Sequence, residues 1–330
     1  MRYIEHLRQA LESLLDTDPT VYLLGEDIEE PYGGAFKVTK GLSTRFPGRL
    51  LSMPMSEQGY TGLGIGMALA GLKPIVEIMF GDFVTLVVDQ VVNHLAKFYE
   101  MYDRPLHFVL RTPSGGYRGY GATHSQSLER LFLGIPGLRV VAPNTVVDPG
   151  ELLIHSVRLG MPVIFVENKL DYAREVVLQG TVRDLFEVDT ATGGPFPIRR
   201  LALPEEPPEI SFVTYGGVLH EVLKAAEHLL YEEERIAEIL VVSDVSHFSA
   251  PELVQALRGR IAVVVEESWV RFGWARDVAY QIQHLGGPRT LAIGARDHYI
   301  PASEPLETYV LPTGARIAEE TLGFLKGKTP

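Results

Sequence analysis

The chain has 330 residues, of which 46% are hydrophobic and 22% are charged, a composition that excludes an intrinsically disordered protein. Its formal net charge of −12 argues against nucleic acid or an anionic membrane surface as a partner. The absence of cysteine excludes disulfides, thiolate catalysis and thiolate-bound metal. No apolar run approaches the ~20 residues of a membrane span, and the charged N-terminal segment lacks a signal-peptide core, so we expect a cytoplasmic protein.

The first half of the chain alternates apolar runs with helical patterns. The apolar runs predict strands at 20–25, 50–53, 74–80, 106–111, 138–142 and 162–167. The main helical patterns lie between them, at 60–70, 84–102 and 149–159. This alternation predicts an α/β fold with a parallel sheet that helices cover on both faces, joined by right-handed crossovers.

A change of composition divides the chain near residue 192. The span 192–209 holds five prolines, which disfavour helices and cannot donate to a strand ladder, so it is predicted to be an interdomain linker. The two domains would then be 1–191 and 210–330. The second is a smaller α/β unit, with strands expected at 210–215, 239–242, 261–266 and 290–293 and helices at 218–233, 251–257 and 274–285.

One carboxylate, Glu57, stands at a predicted strand-to-helix junction. Ligands of α/β folds bind outside the carboxyl ends of the strands, so this position favours a functional role. The other interpretation is a glutamate that interacts with the helix dipole, worth ~0.5 kcal/mol, with Ser56 as the N-cap. Position alone leaves both interpretations open.

Three glycines follow in the same stretch, at 62, 64 and 66. Their spacing differs from the G-x-G-x-x-G pattern of dinucleotide-binding sites. Gly62, Gly66 and Ala70 recur every four residues, which predicts a helix face without large side chains. Such a face permits close packing against another helix, within the chain or in another subunit. Gly71 is expected to end the helix in the left-handed conformation.

His124 lies in a glycine-rich loop after the fourth predicted strand. A histidine there can donate to a substrate carboxylate or oxyanion, although the residues alone favour one that hydrogen-bonds its own backbone. Phe80 ends the third predicted strand and Phe83 lies just beyond it, where an aromatic ring either packs on a ligand or joins the core. The ten histidines show no metal-binding spacing, so no metal site is predicted.

Several short motifs together resemble one family, the beta subunits of thiamine-diphosphate-dependent 2-oxo acid dehydrogenases. This family, of the pyruvate, branched-chain 2-oxo acid and acetoin dehydrogenase type, belongs to the transketolase-like superfamily. The motifs are Gly25-Glu-Asp27, Gly33-Gly-Ala-Phe36, Thr39-Lys-Gly-Leu42, Pro54-Met-Ser-Glu57, Gly71-Leu-Lys-Pro74, Asp89-Gln-Val-Val-Asn93, His124-Ser-Gln126 and Pro136-Gly-Leu-Arg-Val-Val-Ala-Pro143. The resemblance, over roughly residues 1–175, implies a transketolase-like pyrimidine-binding domain followed by a transketolase C-terminal domain.

The resemblance also implies roles for three residues. Glu57 matches the catalytic glutamate that hydrogen-bonds the aminopyrimidine ring nitrogen of thiamine diphosphate, favouring the imino tautomer that removes the thiazolium proton. Phe83 matches the cofactor-binding residue whose ring packs against the pyrimidine. His124 matches the active-site histidine that contacts the 2-oxo acid or the thiamine-bound intermediate.

One family motif is missing from the chain. The diphosphate and magnesium motif, G-D-G followed by N-N, is absent. The only Gly-Asp pair of the sequence is Gly81-Asp82, and the next residue is Phe83 instead of glycine. The resemblance therefore implies an alpha subunit that holds the diphosphate and magnesium, in an α2β2 heterotetramer with sites at the interface. Leu159 stands where some relatives have a potassium-binding Asp, but such sites also use backbone carbonyls, so potassium stays open. Departures at 242–247 and 272–274 leave docking to a lipoyl acyltransferase open.

Three functions fit this pattern. With an alpha subunit, the chain would decarboxylate a 2-oxo acid and pass the acyl group to a lipoyl domain. Alternatively, a split transketolase-like synthase would join the activated aldehyde to another acceptor. A third alternative is a non-catalytic scaffold that completes the fold of a partner. Specificity in the family is shared with the alpha chain, so this sequence leaves the identity of the 2-oxo acid open.

Overall fold

A computed structural model describes residues 1–204 and 206–327, which form two α/β units. The sheet of the first unit consists of β1 (Val21–Gly25), β2 (Leu50–Ser52), β3 (Lys73–Glu77), β4 (Val109–Ser114), β5 (Arg139–Val141) and β6 (Val163–Asn168). These strands are parallel and lie in the order β2-β1-β3-β4-β6-β5. The six predicted strands and the parallel sheet are confirmed, with β4 displaced toward the C-terminus.

Helices cover both faces of this sheet, which is why β4 and β6 are buried along their whole length. The helices of the first unit are α1 (Tyr3–Thr17), α2 (Leu42–Arg45), α3 (Glu57–Leu69), α4 (Ala96–Tyr102) and α5 (Pro149–Arg158). Leu7, Leu11 and Leu14 recur at helical spacing along α1 and pack with α5 against one face. The other face packs against α3 and the segment 81–102.

The segment 84–102 differs from the single helix predicted for it. It begins as a 3₁₀ helix over Gly81–Val87, continues as a π-helical turn over Gln90–Leu95 and ends as α4. Val84 and Val87 are both buried, and a 3₁₀ repeat places residues three apart on the same side. The β-branched valines of this segment also disfavour a regular α-helix because their χ1 rotamers are restricted.

The second unit is built on a mixed sheet. Its strands are β7 (Thr181–Val182), β8 (Phe186–Thr192), β9 (Ile198–Ala202), β10 (Ile210–Tyr215), β11 (Ala237–Val242), β12 (Ile261–Trp269) and β13 (Arg289–Ala295). They lie in the order β13-β12-β10-β11-β9-β8-β7, the first four parallel and the last three antiparallel. The four strands predicted for this unit, β10 to β13, are confirmed.

Helices again cover both faces of this second sheet. They are α6 (Leu219–Glu233), α7 (Ala250–Ala256), α8 (Trp274–His284), α9 (Glu304–Val310) and α10 (Gly314–Leu325). Helices α6 and α10 pack on the outer face. Helices α7 and α8 contribute to the cluster of buried side chains that the two units share. The three helices predicted for this unit, α6 to α8, are confirmed, whereas α9 and α10 were not predicted.

The span 192–209, predicted to be a linker without regular structure, contains strand β9. This strand pairs antiparallel with β8 and with β11, where Leu201 lies opposite Ile239. The prolines fall just before and after β9 rather than inside it, so no ladder donor is lost and the expectation is wrong for these residues. The domain limits, 1–191 and 210–330, stay a prediction.

Backbone hydrogen bonds join the two units at an edge of the first sheet. The amide of Ala142 donates to the Ser243 carbonyl at 2.8 Å, and the amide of Val245 donates to the Val140 carbonyl at 3.0 Å. The segment after β11 therefore continues the first sheet beyond β5.

Across the two described ranges, no helix is both long enough and apolar enough to span a membrane.

Candidate active site at the strand ends of the first sheet

The strand order of the first sheet creates a crevice at one point. Strand β1 lies between β2 and β3, so successive connections leave it on opposite sides. Ligands of open parallel sheets bind at the carboxyl ends of the strands where the order reverses in this way. The three predicted site residues follow strands at this edge, Glu57 after β2, Phe83 after β3 and His124 after β4.

Phe83 and His124 come together on one side of the crevice. Their ring centroids lie 5.3 Å apart, and the centroid of Phe80 lies 4.8 Å from that of His124, both in edge-to-face geometry. The Nδ1 atom of His124 pairs with the side-chain Oγ1 of Thr123 at 3.0 Å, which is a side-chain contact and not the predicted bond to the loop backbone. Nε2 is then the ring nitrogen that can face a ligand.

Glu57 begins α3 on the other side of the crevice. Ser56 occupies the N-cap position, but its side chain makes no capping hydrogen bond within the described residues, so it does not act as the predicted cap. Strand β1 separates β2 from β3, which places the strands that precede Glu57 and Phe83 roughly 10 Å apart. Among the described residues, no hydrogen bond or aromatic contact joins Glu57 to Phe83 or His124.

A second carboxylate, Glu26, follows β1 beside Glu57. Burial, and then the charge of Glu57, raise the pKa of Glu26 above its ordinary value. Tyr60 Oη donates to Glu26 Oε1 at 3.4 Å. Two neighbouring carboxylates make this side of the crevice electronegative, which favours a ligand that carries a proton at the atom facing them.

The glycines of α3 differ in their surroundings. A Cβ atom at Gly64 would lie 2.8 Å from Val76 Cγ2 and 3.0 Å from Phe108 Cε2, so this glycine lets α3 approach the sheet. A Cβ at Gly66 would meet no atom of the described chain within 4 Å. A Cβ at Gly62 would lie 3.4 Å from Gln90 Oε1, so within the described chain the predicted packing is found at Gly62 and not at Gly66. Gly71 ends the helix with a φ of +90°, as predicted.

Lys169, which directly follows β6, binds the backbone of the histidine. Its ammonium group donates to the His124 carbonyl and lies 5.5 Å from the ring centroid of Phe80 and 5.6 Å from that of Tyr120. Burial lowers the pKa of Lys169 to about 8, and the carboxylate of Asp82 opposes this shift. The ammonium thus joins the strand end, the aromatic rings and the histidine backbone.

A buried ion cluster fixes the strand ends beneath the site. Arg111 of β4 binds Glu167 of β6 through two hydrogen bonds, Nε to Oε1 at 2.8 Å and Nη2 to Oε2 at 2.6 Å, and also contacts the Glu77 carboxylate of β3. Tyr172 Oη donates to Glu167 Oε2 at 2.6 Å. Because Arg111 and Glu167 are almost fully buried, loss of one partner would leave an unpaired charge inside the protein.

Reasoning from single residues missed Glu26 and Lys169. Both are charged residues that directly follow a buried strand, in Gly25-Glu-Asp27 and Glu167-Asn-Lys169. This placement is the signal that could have identified them. An open pocket of about 750 Å³, lined in part by Leu128, Trp269 and Phe272, includes none of the predicted site residues, so cavity volume does not locate the site.

Comparisons with known proteins match most of the chain. Residues 1–174 match the transketolase pyrimidine-binding domain, and residues 196–317 match the transketolase C-terminal domain. The chain is 35% identical to the beta subunit of acetoin:2,6-dichlorophenolindophenol oxidoreductase from Cupriavidus necator, over 97% of this chain and 96% of the relative. It is 33% identical to the pyruvate dehydrogenase E1 component subunit beta of Saccharomyces cerevisiae, over 93% of this chain and 84% of the relative.

A bacterial relative and a solved structure agree with these matches. The pyruvate dehydrogenase E1 component subunit beta of Rickettsia bellii is 31% identical over 94% of each chain. A split gene transketolase, solved as an inactive β4 tetramer, superposes with a TM-score of 0.74 at 19% identity, covering 100% of this chain and 99% of the other. The structural likeness shows the shared fold, and the predicted two-domain transketolase-like fold is confirmed. The family matches and the relatives of near full length show that this chain belongs to the transketolase-like family of thiamine-diphosphate-dependent 2-oxo acid dehydrogenase beta subunits.

Proposed function

We propose that this chain, together with an alpha subunit, decarboxylates a 2-oxo acid on thiamine diphosphate and transfers the acyl group to a lipoyl domain. The observation that carries the proposal is the crevice beside β1. Glu57 and Glu26 stand on one side of it, and Phe83 and His124 stand on the other. Carboxylates opposite an aromatic and imidazole pair suit a flat, protonated heterocycle and an anionic substrate.

The residues of the crevice fit the pyrimidine half of the cofactor. Phe83 is half-buried, so one part of its ring can pack against another flat ring. Glu57 is also partly exposed, and its carboxylate can accept a hydrogen bond from a ring nitrogen. When bound, thiamine diphosphate supplies the nucleophilic carbon and the electron sink for loss of CO₂.

Each side chain then has a separate task. Glu57 holds a proton at the pyrimidine ring nitrogen, and the nearby charge of Glu26 favours the protonated form of that nitrogen. Phe83 sets the plane of the ring. His124 donates from its imidazole to an oxygen of the 2-oxo acid, where negative charge is present or develops.

We propose that the alpha subunit holds the diphosphate and its magnesium ion. This chain lacks the family's diphosphate motif. Within residues 1–204 and 206–327, no group of three or more His, Asp or Glu side chains could hold a metal ion. The relatives described above are named as beta subunits, which agrees with a site completed by a second kind of chain.

The exposed face of α3 is the proposed contact with that subunit, in an α2β2 assembly. Gly66 is open, Leu63 is 46% exposed, and Leu86 of the adjoining 3₁₀ segment is 52% exposed. Apolar side chains beside open glycines permit close approach of another helix. The helix that carries this face begins at the crevice, because Glu57 is its first residue.

Reconstitution tests the proposal. The chain is mixed with an alpha subunit from the same organism, and CO₂ release from 2-oxo acids is measured with and without thiamine diphosphate and Mg²⁺. We expect release only from the complete mixture. If the mixture releases no CO₂ in a cofactor-dependent way, the proposed function is rejected. Accumulation of a carboligation product without a lipoyl acceptor would instead support the split transketolase-like synthase.

A further inference from the structure

The loop that carries His124, residues 115–127 and here called the histidine loop, is bound at both ends by one side chain of the second unit. Glu267 Oε1 accepts hydrogen bonds from the Gly116 amide at 2.6 Å and from Ser127 Oγ at 3.2 Å. Ser268 Oγ donates to the Ser127 carbonyl at 2.8 Å. Strand β12 thus closes the loop at its base.

A second carboxylate binds the loop further along. Glu307 of α9 is buried, and its Oε2 atom accepts a hydrogen bond from the Gly119 amide at 2.9 Å. Tyr117 Oη donates to the Pro312 carbonyl at 2.8 Å. Groups from β12, α9 and the segment after α9 therefore hold the backbone on the approach to His124.

The glycines of the loop are explained by this contact. A Cβ at Gly116 would lie 2.6 Å from Leu311 Cδ1, and one at Gly119 would lie 3.1 Å from the Ala302 carbonyl. Gly119 and Gly121 also have positive φ values, of +66° and +79°. The glycine-rich composition allows the loop to lie against the second unit.

The contact between the two units lies at the position where a ligand would be expected to bind the second sheet. Strand β10 lies between β11 and β12, so a crevice is expected at their carboxyl ends. Asn168 of the first unit fills it, because a Cβ at Gly217 would lie 2.1 Å from Asn168 Cγ, and Asn168 Nδ2 donates to Glu267 Oε2 at 3.3 Å. The remaining cavity of about 20 Å³ has room for about one water molecule.

We propose that Glu267 and Glu307 are positioning residues for His124, and that fixing the histidine loop is the contribution of the second unit to the active site. Both act on the loop backbone and not on substrate or cofactor. The statement about the loop is independent of the proposed function, whereas its effect on turnover rests on the role of His124. A displacement of about 1 Å at a catalytic group can reduce the rate ~100-fold. Fixing the amides of Gly116 and Gly119 should therefore affect the turnover rate through the position of the imidazole.

Hydrogen–deuterium exchange of the full chain tests the loop directly. Glu307→Met removes the acceptor for the Gly119 amide at similar side-chain length, whereas Glu307→Gln retains an acceptor oxygen. Glu304→Gln, at an exposed position in the first turn of the same helix, is the matched control. We expect exchange of the loop amides to rise roughly 10–100-fold in Glu307→Met and to stay close to wild type in the other two. Unchanged loop exchange in Glu307→Met would overturn the proposal.

The reconstituted complex supplies the second readout. Glu307→Met should lower kcat more than it raises KM, with thiamine diphosphate affinity unchanged and Glu307→Gln restoring most of the rate. Faster loop exchange with a normal kcat would overturn the positioning role. A complex inactive even with wild-type chain would reject the proposed function and leave the exchange result standing. Glu267→Met removes the acceptor for the Gly116 amide and should raise its exchange in the same way. If this variant fails to fold, the Glu307 series still decides.

Discussion

Glu267 Oε1 lies 2.6 Å from the backbone nitrogen of Gly116, so a buried carboxylate of the second unit binds the loop that carries His124 in the first. Burial raises the pKa of Glu267 to about 7, partly opposed by the hydrogen bond from Gly116. The charge of Glu129 raises this pKa further, and that of Lys169 lowers it. The adjacent Glu266, which accepts from the amides at the start of α8, has its pKa raised by burial to about 8.

These two shifts predict a pH-dependent stability. In the folded chain the pKa values of Glu266 and Glu267 lie above the ordinary value of 4.5. Between about pH 4.5 and pH 8 the folded chain therefore binds more protons than the unfolded chain. The free energy of unfolding therefore falls as the pH rises across this window, by about 1.4 kcal/mol per pKa unit for each group. Urea unfolding of wild type and Glu267→Gln at about pH 5 and pH 9 measures this. The variant should lose less stability, and parallel losses would contradict the assignment.

Phe83 should contribute to cofactor affinity. Phe83→Leu retains an apolar side chain but removes the ring, which costs ~0.5–1.5 kcal/mol of aromatic interaction and raises the thiamine diphosphate Kd about 2- to 12-fold. Phe83→Tyr keeps the ring and serves as the control. Calorimetric titration of the αβ complex gives the Kd. Equal Kd values for the leucine variant and wild type would place the ring outside the cofactor site.

His124 should affect turnover and not cofactor binding. His124→Phe preserves the edge-to-face contacts with Phe80 and Phe83 and removes the imidazole nitrogens. We expect kcat/KM for the 2-oxo acid to fall ~100-fold or more, because a donor aimed at developing charge is lost. The thiamine diphosphate Kd should stay near that of wild type. A variant with normal kcat/KM would leave the histidine as a packing residue only.

Two glycines of α3 should respond oppositely to substitution. Gly64→Ala introduces a Cβ at 2.8 Å from Val76 Cγ2 and should destabilise the chain by ~1–3 kcal/mol in urea unfolding. Gly66→Ala meets no atom within 4 Å and should be neutral or stabilise the isolated chain by up to ~1 kcal/mol.

A larger side chain at Gly66 tests the proposed subunit contact. Gly66→Leu should leave the isolated chain folded but weaken its association with the alpha subunit in analytical ultracentrifugation. Association as tight as that of wild type would place the interface elsewhere. A loss of self-association instead would assign this face to a contact between copies of the chain.

Much of the fold could be predicted from the sequence, because strands buried on both faces produce continuous apolar runs separated by amphipathic helices. The prediction of a single helix at 84–102 is wrong at its start, because Val84 and Val87, spaced by three residues, favour a 3₁₀ segment. The expectation for 192–209 failed because prolines that flank a strand resemble, in composition, prolines that prevent one.

The candidate site was predictable only in part. Glu57, Phe83 and His124 each follow a strand, and the family motifs identify them. The hydrogen bonds from Glu267 to Gly116 and from Glu307 to Gly119 join residues far apart in the chain, and no local pattern marks such pairs. Glu26 and Lys169 are recognisable as site residues only once the strand order is known.

The activity of Glu57→Gln in the reconstituted complex tests the central claim most directly. The chain, its alpha subunit, thiamine diphosphate and Mg²⁺ are assayed for 2-oxo acid-dependent reduction of 2,6-dichlorophenolindophenol. The matched control is Glu233→Gln, an exposed position at the end of α6. We predict that Glu57→Gln lowers kcat by ~100-fold or more with folding intact, whereas the control and wild type are equally active. A Glu57→Gln complex as active as wild type would contradict the account and favour a non-catalytic scaffold.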